Sequence, residues 1–241
     1  MNNPIEYDNT AYAVGRPFGP DRWRTIAPEM PAGLYVVRDA FPPGMLVMQS
    51  FLDPAFCDAL VAECNPLPGI RQGSATGGYD VSTTYRDGRT SETVDIYKLQ
   101  TDVVELTRRI FESSIAPHYG CEFEWFERPE ILRYNQGGEY KPHSDSDNWF
   151  AEEKVWRRVL DRDISILLYL NENYGGGEIA FPNFGVKLKP KRGMLIAFPS
   201  DCRFIHTARP VETGIRYALV SWAAVRGSAR VQEKPGDIIR M

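Results

Sequence analysis

The spacing of apolar residues changes partway along this chain of 241 residues. Over residues 53–64 and again over 101–115 it follows a helical period, the second run placing Val103, Leu106, Ile110 and Phe111 on one side. Asp53 and Pro54 open the first run as N-cap and first helical residue, where the missing N–H of proline is harmless. Both runs predict packing helices. Beyond them the pattern shortens to β-rich stretches divided by Gly, Pro and polar turns, at 122–126, 130–135, 164–171, 178–181, 186–188, 194–198 and 216–224. Many short strands with such turns predict a mainly β protein with packing helices, its core a jelly roll.

Strand parity assigns faces. Arg216, Ala218, Val220 and Trp222 share one side of their strand, and Ser165, Leu167 and Tyr169 share one side of theirs. If the Arg216 side points inward, a guanidinium lies among apolar groups and requires an anion. An ion pair within the protein would satisfy it, and so would a bound dicarboxylate.

Composition narrows the class. With 43% hydrophobic residues the chain can bury the core of one domain. A Pro- and Gly-rich arm is expected over 1–44, a core domain over 45–226 and a polar tail over 227–241. A net charge of −4, with Lys and Arg scattered, gives no footprint for nucleic acid. No apolar run reaches the length of a membrane span, and no signal-peptide pattern opens the chain. Cys57, Cys64, Cys121 and Cys202 have neither C-x-x-C nor zinc-type spacing, which suits free thiols in a reducing, cytoplasmic compartment. These patterns do not encode an oligomeric state.

The candidate chemistry lies at His143-Ser144-Asp145. On an extended chain His143 and Asp145 point to one side and Ser144 away, so both can reach one ion. Two imidazoles and a carboxylate on one face of a metal leave the opposite face open, as in non-haem Fe(II) oxygenases. The triplet alone is weak; His206 supplies the second imidazole, and Arg216 follows it with a candidate anion anchor. The polar, Gly-rich stretch over 70–90 is expected to be a mobile loop.

Taken in order, several segments resemble the prolyl 4-hydroxylase branch of the 2-oxoglutarate and Fe(II)-dependent dioxygenases, whose core is a double-stranded β-helix. They are Phe51 to Asp58, Arg89-Thr90-Ser91, Leu132-Arg133-Tyr134, Tyr140 to Asp145, Leu168 to Asn171, Gly176-Gly177-Glu178 with Phe181-Pro182, Lys189 to Gly193, His206, and Arg216 to Trp222. The resemblance implies that His143, Asp145 and His206 hold the iron and that Arg216 pairs with the distal carboxylate of 2-oxoglutarate. By the same resemblance Tyr169 and Tyr134 line the co-substrate pocket, while Tyr140, Arg162 and Trp222 face the substrate. Read without it, Tyr134, Tyr169 and Trp222 could be core aromatics and Arg162 a solvated charge. Arg216 stands where collagen-type enzymes carry lysine, and Ala224 where some peptide-binding members carry histidine.

The activity so implied consumes O2 and 2-oxoglutarate, releases succinate and CO2, and hydroxylates an unactivated C–H bond, with ascorbate as a reductant. A carboxylate at Asp145 favours hydroxylation over halogenation. The expected substrate is a prolyl residue in a protein or peptide. The alternatives are free proline, another amino acid or a small metabolite, and, in a different class, a jelly-roll binding module without turnover.

Overall fold

The computed structural model describes residues 41–71, 88–233 and 236–241. The expected arm over 1–44 therefore falls almost wholly outside the described residues, as does most of the expected loop over 70–90. Strand β1 (Leu46–Met48) leads into helix α1 (Pro54–Cys64), then β2 (Gly69–Arg71) and β3 (Glu92–Val94). Helix α2 (Gln100–Ile110) runs through a π-helical turn, Phe111–Ile115, into α3 (Ala116–Tyr119). There follow β4 (Phe123–Glu127), β5 (Glu130–Tyr134), β6 (Tyr140–His143), β7 (Asp147–Phe150), β8 (Val155–Arg158), β9 (Ile164–Tyr169) and β10 (Gly175–Gly176). The chain closes with β11 (Ile179–Phe181), β12 (Val186–Leu188), β13 (Leu195–Pro199), β14 (His206–Ala208), β15 (Val211–Thr213), β16 (Arg216–Val225) and β17 (Ile238–Arg240).

Both helices form where the periodicity places them. Asp53 Oδ1 accepts the N–H of Ala55 at 2.7 Å and of Phe56 at 3.3 Å, the capping its position predicted, an interaction typically worth about 1 kcal/mol. The second helix outruns its expected end at Ile115, stopping only where Gly120 takes a left-handed conformation (φ 60).

The strands build two main sheets. A nine-stranded antiparallel sheet runs β1-β13-β9-β16-β5-β3-β2, with β4 taking over from β5 along β16 and β17 pairing with β4. A four-stranded sheet runs β12-β11-β14-β6. It packs on the larger sheet through Ile179 and Phe181, which cluster with Tyr169, Ile196, Phe198 and Ala218. This is the jelly-roll core that the strand pattern predicts.

Alternation along β16 divides the molecule. Tyr217, Leu219, Ala223 and Val225 join Leu60 of α1, Val103 and Ile110 of α2, and Phe111 in the main core between sheet and helices. The opposite face, beginning at Arg216, is left for the inside of the β-helix. Two expectations are corrected. The segment from Gly227, expected as a polar tail, ends in β17, whose Ile239 lies opposite Phe126 and packs on the core. Residues 147–158, where no strand was expected, form the β7–β8 hairpin with Trp149 opposite Trp156.

Candidate functional site

A cavity of about 170 Å³ opens on the inner face of the jelly roll, and every candidate metal, co-substrate and substrate residue named from the sequence lines it. Arg216, Ala218, Val220 and Trp222 come from β16, and Leu167 and Tyr169 from β9, as parity requires. Leu132 and Tyr134 come from β5, Tyr140 and His143 from β6, and His206 from β14.

His143 lies directly opposite His206 across β6 and β14, so ladder pairing brings the imidazoles together. Asp145 follows from a bend rather than a strand. β6 ends at His143 because the N–H groups of Asp145 and Ser146 both turn to the carbonyl of Ser200, at 3.1 and 2.9 Å. The expectation of one extended His143–Asp145 segment, with Ser144 facing away, is corrected accordingly: Ser144 is buried, lines the cavity and donates to the Ser200 carbonyl at 3.1 Å.

The ring protons are set by the backbone. His143 Nδ1 lies 2.8 Å from the Lys141 carbonyl, and His206 Nδ1 lies 3.0 Å from the Phe204 carbonyl. A carbonyl only accepts, so each Nδ1 carries a proton and each Nε2 is the ring nitrogen turned to the site. Those Nε2 atoms lie 3.6 and 3.7 Å from the carboxylate oxygens of Asp145. Burial, reinforced by His206, lowers the pKa of His143 to about 3, so its ring is neutral at physiological pH. Burial pushes the Asp145 carboxyl up, but His206, His143, Arg162 and the Ser165 hydroxyl outweigh it and hold it below its ordinary value. Two imidazoles and one carboxylate, with donor atoms all within 4.8 Å of one another, fit a divalent transition metal. His118, the remaining histidine, lies apart from them on α3 and is half-buried.

The far wall fits a carboxylate. Arg216 is 2% exposed, yet no carboxylate among the described residues pairs with it. Its Nη1 donates to the Gly177 carbonyl at 2.8 Å, its guanidinium lies 3.9 Å from the Tyr134 ring centre, and its Nε is buried without a partner. A buried cation so placed is costly without an anion. Burial pushes the Tyr169 hydroxyl above its ordinary pKa, partly offset by Arg216, so it stays a neutral donor beside the guanidinium. An acid with a second carboxylate suits this end.

At the mouth Tyr140 stacks on His143 with ring centres 3.5 Å apart. Arg162 is no solvated charge. It grips Glu127 with two bonds of 2.6 Å, lies 3.8 Å from the Trp222 ring centre and donates to the Asp145 carbonyl at 3.2 Å. Sequence reading missed the roles of Ser165, which bonds Asp145 Oδ2 at 2.6 Å, and of Arg89 and Glu130, which line the same cavity. The position of Ser165 on the inward face with Tyr169 was the available signal.

The comparisons agree with this geometry. Residues 129–224 match the 2OG-Fe(II) oxygenase superfamily, a span running from β5 to the end of the active-site wall of β16. The chain is 26% identical over 206 residues to prolyl 4-hydroxylase 1 of Arabidopsis thaliana, covering 76% of this chain and 69% of that one. It is 38% identical over 142 residues to human (Homo sapiens) prolyl 3-hydroxylase 2, covering 52% of this chain and 20% of that protein. The viral collagen prolyl hydroxylase of Paramecium Bursaria Chlorella virus-1, solved with 2OG, shares the fold with a TM-score of 0.54 at 23% identity, over 78% of this chain and 99% of that one.

Proposed function

We propose that this chain, a prolyl 4-hydroxylase-like 2-oxoglutarate/Fe(II) oxygenase, hydroxylates a prolyl residue in a protein or peptide. The carrying observation is a cavity with two imidazoles and a carboxylate at one place and, at another, a buried guanidinium that no carboxylate among the described residues pairs with. His143, Asp145 and His206 would hold Fe(II), and Arg216 with Tyr169 and Tyr134 would hold 2-oxoglutarate. When bound, the metal and its co-substrate supply the oxidising power for inserting one oxygen into a C–H bond, with succinate and CO2 as the other products.

The protein's share is positional. Backbone carbonyls orient both imidazoles, Arg216 fixes the co-substrate end to end, and the apolar wall of Leu167, Ala218 and Val220 limits water. Tyr140, Arg162 and Trp222 form the rim that meets the substrate. An aromatic and guanidinium rim suits the flat, apolar ring of a prolyl residue and the carbonyls on either side of it. Both prolyl 4- and prolyl 3-hydroxylases stand among the relatives, so the reading extends to proline and not to one ring carbon. The buried thiols of Cys57 and Cys64 support a reducing, cytoplasmic location.

The test is succinate release with Fe(II), 2-oxoglutarate and a proline-rich peptide, read beside the peptide's mass. A gain of one oxygen on proline is the expected result. Oxidation of free proline in place of every peptide would overturn the peptide assignment, and no metal binding at all would overturn the oxygenase.

A further inference from the structure

Asp145 is held at several points, and they do not treat its two carboxylate oxygens alike. Its N–H donates to the Ser200 carbonyl, its own carbonyl accepts from Arg162, and Oδ2 accepts from Ser165 Oγ at 2.6 Å. Ser165 Oγ also lies 2.8 Å from Ser200 Oγ. A serine hydroxyl carries one proton and an ionised carboxylate only accepts. The Ser165 proton therefore points at Asp145, and the other contact uses the proton of Ser200. The result is a directed chain, Ser200 Oγ–H to Ser165 Oγ–H to Asp145 Oδ2.

This chain is buried and anchored to two paired strands. Ser165 and Ser200 are 0% and 1% exposed and Asp145 is 6% exposed. Ser165 sits within β9 opposite Phe198 of β13, and Ser200 follows directly after that strand. The 2.6 Å separation falls in the range of charge-assisted O–H···O⁻ bonds. Each oxygen lies near one imidazole, Oδ1 3.6 Å from His143 Nε2 and Oδ2 3.7 Å from His206 Nε2, but Oδ1 has no hydrogen-bond donor among the described residues.

We propose that Ser165, backed by Ser200, is a positioning residue that keeps Asp145 a one-oxygen ligand; this rests on the Fe(II) and 2-oxoglutarate reading above. An octahedral ion has six positions. Three protein atoms and a chelating 2-oxo acid take five, which leaves one for O2. A carboxylate bound through both oxygens would take that last position. Without the Ser165 hydroxyl, Oδ2 would be a buried anionic oxygen with no hydrogen-bond donor among the described residues, and a bound ion would be a charge it could turn to. Ser165 thus decides whether the site stays open, separately from whether it binds metal.

The experiment compares the parent protein with Ser165→Ala, Ser165→Thr and Ser200→Ala. Fe(II) affinity, X-ray absorption of the anaerobic Fe(II) and 2-oxoglutarate complex, and oxygen-dependent succinate release are measured for each. Ser165→Ala is expected to bind Fe(II) at least as tightly as the parent, gain one oxygen neighbour at iron, and release succinate at least about tenfold more slowly. Ser165→Thr restores the parent values, and Ser200→Ala shifts them part of the way even if Ser165→Ala folds poorly. An unchanged coordination number in Ser165→Ala and Ser200→Ala overturns the proposal, whatever the rate. So does a loss of Fe(II) affinity in step with the rate. A parent protein that binds neither Fe(II) nor 2-oxoglutarate is a different failure, that of the underlying oxygenase reading.

Discussion

Arg162 and Glu127 form a two-pronged ion pair, with Nε–Oε1 and Nη2–Oε2 both at 2.6 Å, beside the Trp222 end of the cavity and the bend at Asp145. The same guanidinium covers Trp222 and donates to the Asp145 carbonyl. Glu127→Ala removes the fork's partner and leaves a largely buried cation, which costs on the order of 3 kcal/mol in urea unfolding. Arg162→Lys keeps the charge but cannot form the fork. It is expected to lose less stability while raising KM for the peptide more than KM for 2-oxoglutarate.

Arg216 carries an opposite expectation for the protein without and with co-substrate. Arg216→Met removes a buried cation that no described carboxylate balances, so the ligand-free protein should melt higher than the parent. Binding of 2-oxoglutarate to the metal-loaded protein should weaken by roughly thirtyfold or more. Calorimetric titration and a melting curve on the same samples check both halves. A lower melting temperature together with unchanged affinity would assign Arg216 to structure alone.

Gly177 reaches the same anchor from behind. Its carbonyl accepts from Arg216, its φ is +65, and a Cβ there would lie 2.9 Å from Tyr174 Cε2. Gly177→Ala is therefore strained by conformation and crowding together. It is expected to reduce 2-oxoglutarate affinity severalfold while Fe(II) affinity stays at the parent value, as competition titrations with and without co-substrate would show.

Alkaline pH should destabilise the fold through its thiols. Burial raises Cys57 and Cys64 to about 11 and Cys202 to about 12, above the 9.0 of an exposed thiol. Between pH 9 and 11 the unfolded chain has released these protons while the folded chain keeps them. Fewer protons on the unfolded side mean that stability falls as pH rises through this window. Melting temperatures at intervals from pH 8 to 11 should decline beyond pH 9, and Cys57→Ala should flatten the decline. The same three thiols should resist alkylation in the native protein at pH 8.

What the sequence discloses and what it hides divide along one physical line. Parity is local, so the inward set Arg216, Ala218, Val220 and Trp222 could be read from alternation alone, and the cavity bears it out. The Asp53 cap is equally local. Arg162 was readable as a solvated charge because its partner Glu127 lies 35 residues away on another strand. The bend at Asp145 depends on the Ser200 carbonyl, and β17 depends on pairing with β4, neither of which is written near the residues concerned. The β7–β8 hairpin hides among charged residues and is marked mainly by the facing Trp149 and Trp156.

β16 joins both ends of the cavity without interruption, from Arg216 to Trp222, in register with β5 at one end and with β9 through the middle to Trp222. At about 3.4 Å per residue it is a measuring rod of roughly 20 Å. Anchor and rim cannot drift relative to each other by small steps. Inserting one residue between them would turn the rim outward, because each added residue reverses the face that follows it. The distance between the two ends of this cavity is thus quantised, open to change only in pairs of residues and only if the neighbouring strands change with it.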